Sequence, residues 1–241
     1  RLKMSRNIIK TCTAYLLFLY SFAYAVSAYS ANNSIYITQS GGSSALTMNI
    51  DQIGGSNVIG TSNARVSLTG TGMTVDIDQI GDSNVIAATV AQGNSTSFTL
   101  SSTGDSNTQT LALGATGDVQ NTDFDFAATG DSNVLVYTQG DAATATAANA
   151  DFDISGTSNN LNVKCNVVGC VNNWTVDGDS NDIDTVQANN SDHSITADIT
   201  GNSNNIDVDQ TSNGGSVSNV LDIVAATNSG VIDVDQCTSG C

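Results

Sequence analysis

Thr74-Val75-Asp76-Ile77-Asp78-Gln79-Ile80-Gly81-Asp82-Ser83-Asn84-Val85-Ile86-Ala87-Ala88-Thr89-Val90 is the stretch from which the rest of the chain can be read. Val75, Ile77 and Gln79, of one parity, are apolar or amide-bearing, and Asp76 and Asp78, of the other, bracket Ile77. Strict period-2 alternation over five or six residues marks a half-buried strand. Gly-Asp-Ser-Asn then supplies turn chemistry, and Ile86 reopens the alternation. The stretch predicts strand, turn, strand.

The same unit recurs along the chain. Gly-x-Ser-Asn stands at Gly54 to Asn57, Gly81 to Asn84, Gly104 to Asn107, Gly130 to Asn133, Gly156 to Asn159, Gly178 to Asn181 and Gly201 to Asn204, with a degenerate copy at Thr227 to Gly230. Successive Asn positions, ending at Gly230, are 27, 23, 26, 26, 22, 23 and 26 residues apart. Seven residues before each come Ile50, Ile77, Leu100, Phe126, Phe152, Trp174, Ala197 and Ile223. Two residues after come Ile59, Ile86, Gln109, Leu135, Leu161, Ile183, Ile206 and Ile232. Both columns are expected to point inward. A fixed period of this size signals a repeat architecture whose units bury their apolar faces only by stacking. The expected fold is all-β: a β-solenoid of about eight stacked strand-turn-strand rungs with Gly-x-Ser-Asn turns, roughly 40 Å long at about 4.8 Å per rung. An incomplete leading copy lies at Gln39 to Ser44. A β-sandwich is the structural rival, but gives no reason for Ser and Asn to recur at one place.

Composition agrees. All 23 acidic residues are Asp, Pro is absent, and the formal net charge is -17. Lack of Glu disfavours helices, and the shortage of Lys and Arg excludes the basic footprint that nucleic-acid binding needs. Four of the six basic residues (Arg1, Lys3, Arg6, Lys10) precede an apolar run from Ala14 to Ala25. Residues 1–28 read as a secretory signal peptide cut after Ala28, with Ala23 and Ala25 forming a second site. Residues 29–241 are then one exported repeat domain, secreted or cell-surface, without membrane insertion after cleavage. Only Arg65 and Lys164 would remain against the 23 Asp, so its charge is 2 minus 23, or -21.

By parity, the turn amides Asn57, Asn84, Asn107, Asn133, Asn159, Asn181 and Asn204 face inward. So do Gln139, Gln187, Gln210 and Gln236, six residues after the turn position, and Gln52 and Gln79 before it. Buried amides need partners, and stacking along the axis supplies them, so structural ladders are expected.

These residues carry a family resemblance. Gln52-Ile53-Gly54-Gly55-Ser56-Asn57 and Gln79-Ile80-Gly81-Asp82-Ser83-Asn84 resemble the Gln-x-Gly-x-x-Asn core of the curlin repeat, and Asn133 to Gln139, Asn181 to Gln187 and Asn204 to Gln210 repeat its Asn-to-Gln spacing. The pattern covers roughly residues 34 to 236. Ile or Leu mostly replaces the family's small residue two places after Asn. The resemblance implies a secreted subunit of an extracellular amyloid fibre, used in biofilm matrix and surface adhesion and exported through a dedicated outer-membrane secretion pore.

Edge physics points the same way. The chain carries no Pro and no amphipathic capping helix, and stops one loop after the Ile232 to Gln236 strand, which favours end-to-end self-assembly. Stacked Asp residues oppose it by about 0.9 kcal/mol per neighbouring pair in unscreened water. Assembly is therefore expected to respond to salt, divalent cations or acid.

Sites of chemistry are few. No catalytic residues and no dedicated cofactor are expected, and an enzyme is the least supported class. Asp177, Asp179, Asn181 and Asp184 have the spacing that begins a calcium loop, but lack its twelfth-position Glu, so diffuse calcium binding to Asp ladders is the expectation. His193, the one histidine, lies in a polar arc and is expected to be solvated. Cys12 belongs to the leader. Cys165, Cys170, Cys237 and Cys241 suggest disulfides, with two local bridges favoured over other pairings. Two readings compete: a fibre subunit, and a soluble or virus-associated solenoid binding a cell-surface, glycan or ice target. For ice, outward Thr99, Thr138, Thr175 and Thr196 form no continuous column.

Overall fold

A computed structural model describes residues 13–17, 23–29, 34–38, 43–60, 66–114, 119–140, 146–188, 193–212 and 219–237. In chain order the strands begin β1 (Thr13–Leu17), β2 (Ala23–Tyr29), β3 (Ser34–Thr38), β4 (Ser43–Ser44), β5 (Thr47–Ile53), β6 (Val58–Ile59) and β7 (Val66–Thr71). They continue as β8 (Thr74–Ile80), β9 (Val85–Asn94), β10 (Ser97–Thr103), β11 (Thr108–Leu113), β12 (Val119–Thr129), β13 (Val134–Gln139) and β14 (Thr146–Ser155). The last are β15 (Asn160–Cys165), β16 (Val168–Asp177), β17 (Asp182–Ala188), β18 (Ser194–Thr200), β19 (Asn205–Thr211), β20 (Val220–Ala226) and β21 (Val231–Cys237). There is no helix among the described residues.

The strands form two parallel stacks. One runs β2, β5, β8, β10, β12, β14, β16, β18, β20. The other runs β1, β3, β6, β9, β11, β13, β15, β17, β19, β21. Every described pairing is parallel, which is the β-solenoid and excludes an antiparallel sandwich. Strand β7 follows β6 in the same rung: it pairs with β3 and β4 on one side and with the later half of β9 on the other, with a register shift between Leu68 and Thr69. The end of β9 pairs with the start of β12, which joins the two stacks. Unequal repeat lengths do not disturb the register, because the turn aligns each rung on the last.

Both apolar columns stack as the alternation demands. Ile50, Ile77, Leu100, Phe126, Phe152, Trp174, Ala197 and Ile223 are successive partners. Midway along the rod the core becomes aromatic: Phe124 stacks on Tyr137 with centroids 4.4 Å apart, and Phe152 on Trp174 at 4.2 Å. Such contacts add about 0.5–1.5 kcal/mol each beyond burial. Past Trp174 the column narrows to Ala197, leaving an apolar gap lined by Trp174, Thr185, Ile195 and Ile199.

The leader was expected to be an address with no part in the fold, yet β1 and all but the last residue of β2 fall within residues 1–28. Strand β1 pairs with β3, and β2 pairs with β5 over all seven residues. A cut after Ala28 would divide β2 and leave β5 as the first strand of its stack. The leading copy at Gln39 to Ser44 lies mostly outside the described residues.

Candidate functional site: amide ladders and Asp columns

Each turn is built from three backbone requirements. Its leading glycine has positive φ, from +113° at Gly201 to +143° at Gly178. A Cβ on Gly81 or Gly104 would also stand 2.5 Å from the carbonyl oxygen of the glycine one rung before, so this column excludes side chains on two counts. The serine is left-handed in every copy, with φ between 56° and 62° at Ser56, Ser83, Ser106, Ser132, Ser158, Ser180, Ser203 and Ser229. That role is ordinarily taken by Gly, Asn or Asp. Sequence reasoning did not assign it, although a serine held fixed beside a variable neighbour was the available signal.

The third residue, Asn, links the rungs. The backbone N–H of Asn57 donates to Asn84 Oδ1 at 2.8 Å, Asn84 to Asn107 at 2.8 Å, Asn107 to Asn133 at 2.9 Å, Asn133 to Asn159 at 2.8 Å, Asn159 to Asn181 at 2.9 Å and Asn181 to Asn204 at 2.9 Å. The ladder therefore joins side chain to backbone, where stacked amide pairs had been the expectation. Asn57, Asn84 and Asn107 also donate Nδ2 to the carbonyl of their own turn glycine. The next Asn-equivalent position is Gly230, which has no oxygen to offer. A Cβ there would lie 2.7 Å from Thr227 Oγ1.

The glutamines divide. Gln79 Nε2 donates to Gln52 Oε1 at 2.9 Å, Gln210 to Gln187 at 2.8 Å and Gln236 to Gln210 at 2.5 Å, all amide to amide. Gln139 is not part of a glutamine ladder: its neighbours in register are Leu113 and Cys165, and its Oε1 accepts from the Tyr137 hydroxyl instead. Apolar neighbours cannot continue an amide stack.

Outside, the Asp residues are less opposed than their sequence suggests. In the turns, Asp105 N–H donates to Asp82 Oδ1 at 2.9 Å and Asp131 N–H to Asp105 Oδ1 at 2.8 Å, so these carboxylates form a second side chain to backbone ladder. On the strands, asparagine amides intervene: Asn149 donates to Asp123, Asn160 to Asp182, Asn162 to Asp184 and Asn173 to Asp151. Where Asp meets Asp, the effect is visible in proton affinity. Asp209 is held above the usual carboxylate range by burial and then by Asp207, Asp235, Asp184 and Asp233. Asp184 is raised by burial, then by Asp207 and Asp182. Asp78 and Asp125 are also raised, again by burial first and by neighbouring carboxylates second.

The calcium-like set does not converge. Asn181 is buried, its Oδ1 accepting from Asn159 and its Nδ2 donating to Gly156, while Asp177, Asp179 and Asp184 are exposed. Asp177 accepts from Thr200, and Asp179 from the backbone of Asn202. Among the described residues no group of three His, Cys or Asp is placed to hold a metal ion.

Cys165 and Cys170 are joined by a disulfide, with Cα atoms 6.4 Å apart. Cys237 is also disulfide-bonded, and Cys241 lies outside the described residues. His193 is not solvated: it is buried at the start of β18, and its carbonyl accepts from Val220 N–H at 2.8 Å. Its polar neighbours in sequence misled, because His193 itself stands at an inward position one residue before β18.

No family model matches this chain, and no curated protein and no solved structure matches it either.

Proposed function

We propose that this chain is an exported structural subunit that assembles end to end into an extracellular, curli-like fibre serving matrix formation or surface adhesion. The observation that carries this reading is the rung-to-rung identity of the ladders. Each turn from Gly54 to Asn204 presents the glycine carbonyl, Asn oxygen and strand edge that another rung of the same design requires. The last turn, with Gly230, keeps its strand edge and backbone N–H, so a second copy can be added there through the Asn57 end of its own ladder. The leader reading supports export, and the curlin-like spacing of Gln and Asn supports the fibre class. In this reading a secretion pore and a surface ligand are the remaining partners, and calcium binds diffusely to the Asp columns.

The test is thioflavin fluorescence with negative-stain microscopy of the purified chain over several days. Fibres are expected, forming faster at high ionic strength or near pH 4. A species that stays monomeric under both conditions contradicts the proposal.

A further inference from the structure

The stack that ends in β21 changes character along the rod. On β11 and β13 its outward positions are Thr108 and Val134 in one column and Thr110 and Val136 in the next; their partners in register on β9 are Val85, half-buried, and Ala87, which is buried. None is charged. Further along, the second of these columns holds Asp184, Asp207 and Asp233. The opposite stack has no comparable interval, with carboxylates at Asp51, Asp78, Asp125, Asp151, Asp198 and Asp222.

We infer that this uncharged interval is a lateral docking face for the same interval of a second copy, sheet against sheet. The inference rests on the end-to-end reading for its strength, though not for its geometry. Small and β-branched side chains let two parallel sheets approach to about 10 Å and interdigitate. In a chain of net charge -17, this is a sheet face where a like-charged copy can come close without apposing carboxylates. Area selects the partner. Two strands by about five residues cover roughly 160 Å² per copy, well short of the roughly 1,000 Å² total that a lasting one-to-one interface needs. A solitary globular partner gains too little there. A filament presents the face once per copy, so small contacts between two filaments add. Between contacts the acidic intervals still face each other, so pairing requires salt.

Nanoparticles densely coated with the full chain through a C-terminal tag supply the same multivalency without end-to-end growth. Wild-type particles are expected to clump at 1 M salt, where the screening length is about 3 Å, and to disperse at low salt. Thr110→Asp, an outward substitution checked for folding by circular dichroism, is expected to reduce clumping at least tenfold. Asp184→Asn with Asp207→Asn and Asp233→Asn is expected to allow clumping at low salt. Wild-type particles that stay dispersed at every salt, Thr110→Asp particles that clump like wild type, or Thr110-dependent adsorption to ice by particles that do not clump would overturn the docking face. Clumping without filament formation in the free protein would leave the docking face standing and remove the end-to-end reading.

Discussion

A left-handed serine and a side-chain-free glycine fix every turn from Gly54 to Asn204, and their demands differ. At Gly104 a methyl group meets both a positive φ of +124° and the carbonyl of Gly81. Gly104→Ala is expected to cost about 2–4 kcal/mol in urea unfolding. Gly55→Ala, where a Cβ would lie 3.3 Å from the Asp82 carbonyl, should cost under about 1 kcal/mol. The terminal turn offers a coupled case, since Thr227 and Gly230 replace the usual Gly and Asn. Gly230→Asn alone should destabilise by clashing with Thr227. Combined with Thr227→Gly it restores an acceptor for Asn204 N–H, so a double-mutant cycle by urea unfolding should give a favourable coupling of about 1 kcal/mol or more. Additive effects would show that the two positions are independent.

At the scale of strands and turns, parity made most of the architecture legible. Phe126, Phe152 and Trp174 were assigned to one inward column by spacing from the turn, and they are successive partners. Period-2 alternation specifies a face, however, and not the atom that a side chain meets one rung away. This is why the Asn ladder was foreseen as amide to amide but bonds to backbone, and why Gln139, flanked by Leu113 and Cys165, was grouped with glutamines it does not touch. Strands β1 and β2 were not read from the sequence because an apolar export signal and a strand draw on the same residue types. Element-level charge gives a pH prediction. Asp78, Asp125, Asp184 and Asp209 have raised pKa values in the folded chain, so the fold binds their protons more tightly than the unfolded chain does. Stability should therefore rise as pH falls from 7 through the folded values, and level off below the ordinary Asp value of about 3.9. The urea midpoint is expected to be higher at pH 4.5 than at pH 7. Asp207→Asn, which removes a charge acting on both Asp184 and Asp209, should shrink that difference.

For the whole molecule, the chain's acidity and its repetition act against each other. Identical rungs favour addition of further rungs, while Asp columns resist it until salt or protons intervene. Turn carboxylates are partly relieved by backbone donors and strand carboxylates by Asn amides, so resistance concentrates where Asp184, Asp207 and Asp233 align. The central claim is that copies join as rungs join, with strands perpendicular to a shared axis. X-ray diffraction from aligned assemblies of the purified chain tests it most directly. A reflection near 4.8 Å along the fibre axis, with one near 10 Å across it, is the predicted result. Assemblies whose 4.8 Å spacing lies across the axis, or a chain that yields no ordered assembly at high salt and near pH 4, would contradict it.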